Sequence, residues 1–85
     1  MADDVRYYAI VGAGRTVQTP SGLARRRLGA AGPVDEALRR DFMWEPDSAI
    51  IEWEYGEVGD DLVEISEAAA NRLMAAFRVM WSARG

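Results

Sequence analysis

"DLVEISEAAANRLMAAFRVMW", Asp61 to Trp81, carries two structural periods in succession. "DLVEI" is a short apolar strand signal. From Ser66 onward, Ala69, Ala70, Leu73, Met74, Ala76, Phe77, Met80 and Trp81 recur at helical spacing. Ser66 is placed to accept a backbone N–H at the helix entry, and Glu67 in the first turn meets the positive end of the helix dipole. Ile65, just before the cap, is placed to fold back onto Ala70 as a hydrophobic staple. A strand that runs through a cap into a long amphipathic helix demands a partner layer, because a helix with one apolar stripe must bury it against something.

The partner layer lies upstream. Val5 to Val11, "VRYYAIV", is rich in β-branched and aromatic residues and reads as a central strand. Pro20, Ser21 and Gly22 form a turn cluster, after which Leu23 to Leu28 returns antiparallel to it. Val34 to Met43 fits either a helix, with Val34, Leu38 and Phe42 four apart, or a third strand of a meander; the strand is preferred. "SAIIEWEY", Ser48 to Tyr55, also fits both periods, and the helix is preferred because Pro46, Asp47 and Ser48 open it and Gly56 stops it. The expected fold is α+β: one domain over residues 1–85, with a small antiparallel sheet of three to four strands and the long C-terminal helix packed on one face.

A chain of 85 residues buries only about 60 to 65% of its unfolded surface, so its stability is marginal. There is no cysteine and no histidine. Disulfides, thiolate or imidazole metal sites and a histidine-activated nucleophile are therefore excluded, and a non-enzymatic protein without a cofactor is expected. The start, "MADDVRYY", lacks an apolar signal core and no run is long enough to span a bilayer, so a cytoplasmic location is expected.

Charge is polarised. Residues 1–40 carry a net +3 and residues 41–85 a net −7, and all ten basic residues are arginine. Arg25, Arg26 and Arg27 form the densest basic run and are the candidate patch for an anionic partner, an acidic protein or a nucleic acid. The competing expectation is that the run is neutralised by carboxylates of the same chain, since the overall charge of −4 disfavours indiscriminate nucleic-acid binding. "YYAIVGAG", Tyr7 to Gly14, begins like a dinucleotide-binding turn, but Val17 stands where the third glycine belongs and Pro20 interrupts the helix that would follow. A small nucleotide-binding or hydrolytic protein is thus the third-ranked reading. Glu52 and Glu54, and Glu57, Asp60, Asp61 and Glu64, are read as solvated acids, because the calcium-loop spacing is missing.

Trp44 and Trp53 are expected in the core. Around Trp81, the consecutive Val79, Met80 and Trp81 make the last helical turn apolar on more sides than one sheet can cover. On so small a domain this surplus points to a homodimer contact through Val79, Met80 and Trp81.

The segments "PSGLARRR", "DEALRRDFMWEPDS" and "EYGEVGDDLVEISEAAANRL" resemble small uncharacterised proteins of GC-rich, actinobacterial-type bacteria, which repeat Gly-Leu-x-Arg, Trp-x-Pro and Glu-Ile-Ser-x-x-x-Ala in chains of similar length. The resemblance implies a stand-alone domain in which Trp44 and the Ser66 cap are structural, and it implies no activity.

Overall fold

Strand-forming residues in "VRYYAIV" extend the chain at its start, and in the computed structural model they form β1 (Asp4–Val11). The structure describes residues 4–12, 14–56 and 61–82. After β1 follow β2 (Gly22–Gly29), β3 (Gly32–Leu38), β4 (Trp44–Pro46), α1 (Ala49–Glu54), β5 (Asp61–Ile65) and α2 (Glu67–Ser82). All pairings are antiparallel, in the order β4-β3-β2-β1-β5. The fold is α+β as expected, with β1 interior and β5 at an edge. The sheet has five strands rather than three to four, and the added one is β4.

β4 is three residues long and ends on Pro46, which cannot donate to a ladder and so belongs at an edge. It returns from β3 through a turn closed by Phe42 N–H to Arg39 O at 2.9 Å, with Phe42 itself at φ 64°. A bulky residue in the left-handed region is strained, and the ring is held by packing 5.0 Å from Trp81. The preferred strand over 34–43 is realised only as far as Leu38, in β3, and residues 39–43 form the turn into β4; the preferred helix over 48–55 is realised as α1. Gly56, at φ 72°, ends α1 by sending its N–H to Trp53 O, as a residue just past a helix end does.

Register divides the sheet into two faces. Tyr8, Ala24 and Ala37 lie across from one another on the first, with Ile10 beside Leu62. α1 lies on this face, where Ile50 packs with Tyr8, Ala24 and Leu62, and Trp53 closes the cluster at 6.2 Å from Tyr8. The second face holds Ala9 and Leu23, both fully buried, beneath α2, which buries Ala70 and Phe77. Each helix is anchored at its start by a side chain. Ser66 Oγ accepts the Ala69 N–H at 3.0 Å, and Asp47 Oδ1 accepts the Ala49 N–H at 2.7 Å.

Candidate functional site

Strand geometry decides what the arginine run can do. Successive side chains of β2 point to opposite faces, so Arg25 and Arg27 stand on the α2 side and Arg26 on the α1 side. Arg26 grips Asp35 with two hydrogen bonds, Nε to Oδ1 at 2.7 Å and Nη2 to Oδ2 at 3.0 Å, and reaches Glu54 of α1 at 3.0 and 3.1 Å. On the other face Arg25 Nε and Arg27 Nε both donate to Glu36 Oε1, at 2.8 and 3.0 Å. Arg25 also lies 4.2 Å over the Trp44 ring, which is 6.4 Å from Tyr7. The three cations are thus shared between two faces, and each is engaged by a carboxylate of the same chain. Two of those carboxylates, Asp35 and Glu36, come from the neighbouring strand rather than from the acidic C-terminal half.

These pairs set the charge states. The hydrogen bonds that Arg26 donates, to Asp35 first and then to Glu54, push its pKa further up, so the guanidinium stays charged. Burial raises the pKa of Glu36, but hydrogen bonds from Arg27 and Arg25 outweigh it and hold the group below its ordinary 4.5. A depressed carboxylate contributes stability that is present above 4.5 and is lost as pH falls through the folded-state value. Glu36→Gln should therefore cost about 2 kcal/mol at pH 7, as lost charge-assisted hydrogen bonds do, and lower Tm by roughly 10 °C. Thermal melts from pH 7 to 3 should show a smaller acid loss for the variant than for the wild type; parallel curves would refute the assignment.

The end of α2 separates its three apolar residues. Trp81 turns inward and is half-buried, stacked on Phe77 at 4.8 Å with planes 2° apart. Val79 and Met80 turn outward, 73% and 49% exposed. Of the expected interface residues, two lie on the surface and the third packs against its own domain. Trp44 and Trp53 are half-buried, each against a tyrosine.

Sequence reasoning missed a hollow beside this helix. Val17 and Gln18 on the β1–β2 loop and Ile65, Ala69, Leu73 and Ala76 line an open hollow of about 350 Å³, with Arg72 at the rim. The helical part of the signal was present, since Ala69, Leu73, Ala76 and Met80 follow at spacings of four, three and four. The approach of Val17 depends on the path of a loop, which no period encodes.

Gly12 and Gly14 serve a turn: Gly12 O accepts the Arg15 N–H at 3.0 Å, and Gly14 takes φ 76°. The loop then leads into β2, so the turn is not followed by the helix that a dinucleotide-binding turn requires. Among the described residues no group of acids is placed to hold a metal ion, and Glu57 and Asp60 lie outside them. No helix among the described residues is long and apolar enough to cross a membrane. Comparison with family models, with curated proteins and with solved structures finds no match.

Proposed function

We propose that this chain is a non-enzymatic protein–protein interaction module of the cytosol that forms a homodimer through the outward side of α2. The observation that carries the reading is the exposure of Met80 on the same stripe of α2 as the hollow, with Val79 exposed on the adjoining side of the helix. Contiguous apolar surface on a small domain is stabilised by being covered, and a second copy is always at hand to cover it. The hollow itself is lined mostly by apolar side chains, with Gln18 and Arg72 its polar ones, which suits a protein surface better than substrate chemistry.

Light scattering behind size-exclusion chromatography tests it. The wild type should shift from monomer to dimer as its concentration rises through the micromolar range, and Ala76→Glu, which puts a charge on the exposed wall of the hollow, should remain monomeric with an unchanged melt. A wild-type monomer at high micromolar concentration would overturn the proposal. Trp81→Ala is a poor probe, because it removes a ring packed on Phe77 and Phe42.

Binding of an acidic protein or a nucleic acid through Arg25, Arg26 and Arg27 has less support, because such a ligand must displace Asp35, Glu36 or Glu54. The nucleotide-binding reading has less again, since the turn at Gly12 to Gly14 is followed by a strand.

A further inference from the structure

Two features of α2 complement each other at a fixed distance. Met80 projects from the C-terminal end, while near the N-terminal end Ala69 forms part of the wall of the hollow with Val17 and Ile65. They are eleven residues apart, or about 16 Å along the helix axis. A two-fold axis midway between them brings each Met80 to the hollow of the other copy, so one contact is made twice.

We propose that two copies pair α2 against α2 in antiparallel orientation, with the Met80 of each seated at the Ala69 end of the other's hollow. The proposal rests on the homodimer reading and adds its geometry. Along the seam Ala69, Leu73, Ala76 and Met80, an antiparallel pairing about that axis sets Ala69 against the partner's Met80 and Leu73 against the partner's Ala76. Every layer then joins a small side chain to a large one, which fills space evenly. A parallel pairing would set alanine on alanine in two layers and Leu73 or Met80 on itself in the others, alternating voids with crowding. It would also bring the two Glu67 carboxylates and the two helix dipoles into like alignment, which is unfavourable.

The rim fits the same arrangement. Arg72, one turn from the axis, comes beside the partner's Val79, whose exposed side chain can lie under the aliphatic stem while the guanidinium stays in water. α2, with 16 residues, is about 24 Å long, so an interface centred on it falls at the small end of specific contacts. A dimer that responds to concentration, rather than an obligate one, is the expected consequence.

Because the chain has no cysteine, engineered thiols report the register without background. Ala69→Cys and Met80→Cys proteins are prepared separately, checked for an unchanged melt, and oxidised mildly alone and as an equal mixture. Disulfides require Cα atoms within about 7 Å, so the mixture should give roughly tenfold more covalent dimer than either variant alone. Ready cross-linking of Ala69→Cys with itself would mean parallel helices and overturn the proposal. A wild-type dimer by light scattering with no cross-link in any sample would overturn this register and leave self-association standing. A wild-type monomer would overturn both.

Discussion

Phe77→Ala should lower Tm by about 15 to 30 °C, the largest stability loss expected from any single truncation in α2. Phe77 is 2% exposed, and it is the residue on which Trp81 stacks. Truncation removes the apolar transfer energy of a phenyl ring and leaves a cavity between helix and sheet, together about 3 to 5 kcal/mol. A domain of this size has only about 5 to 10 kcal/mol in total, so a large part of its stability would go. The loss should spread to the β3–β4 turn, because Trp81 is also what holds the strained Phe42 ring. Val79→Ala, two residues along the same helix but exposed, is the control and should fall within about 0.5 kcal/mol of the wild type. Urea denaturation followed by tryptophan fluorescence measures both; a Phe77→Ala loss under 1 kcal/mol would refute the packing described.

Arg26→Leu is expected to cost about 3 kcal/mol, for an electrostatic reason rather than a volumetric one. The substitution leaves Asp35, whose side chain is 8% exposed, without the guanidinium that satisfies both its oxygens. Glu54 loses its partner too, but it is 45% exposed and water takes over, so that arm contributes little. A second consequence falls on α1. Six residues cannot sustain a helix alone, and Arg26 to Glu54 is one of its ties to the sheet, alongside the burial of Ile50. The double variant Arg26→Leu, Asp35→Leu should recover most of the loss, because two apolar groups that pack together need no counter-charge. Strict additivity of the two single changes in urea denaturation would show that the pair is not coupled.

The parts of this molecule legible in one dimension are those whose cause is local. β1, β5 and α2 announce themselves by period, and the Ser66 cap by its chemistry. β4 is invisible because three residues containing a proline have no period; it exists through pairing with β3 and through Asp47 N–H to Asp35 O at 3.1 Å. Alternation along β2 already implies that Arg25 and Arg27 must part from Arg26. Their partners could not be named, since Asp35 and Glu36 come into place only through the register of β3 on β2.

The candidate interface divides in the same way. Val79, Met80 and Trp81 are an apolar surplus in any reading of the chain, but which of them faces water depends on where the sheet lies and on Phe77 and Phe42 holding Trp81 inward. The hollow beside Ala69 arises where a loop meets a helix. Sequence alone thus determined the α+β class, the terminal helix with its cap, and the want of cysteine and histidine, because each follows from residue type and spacing within a few positions. Tertiary structure decided the fifth strand, the neutralisation of the arginines and the shape of the exposed helix face. Each of those depends on groups distant in the chain meeting at distances of a few ångströms.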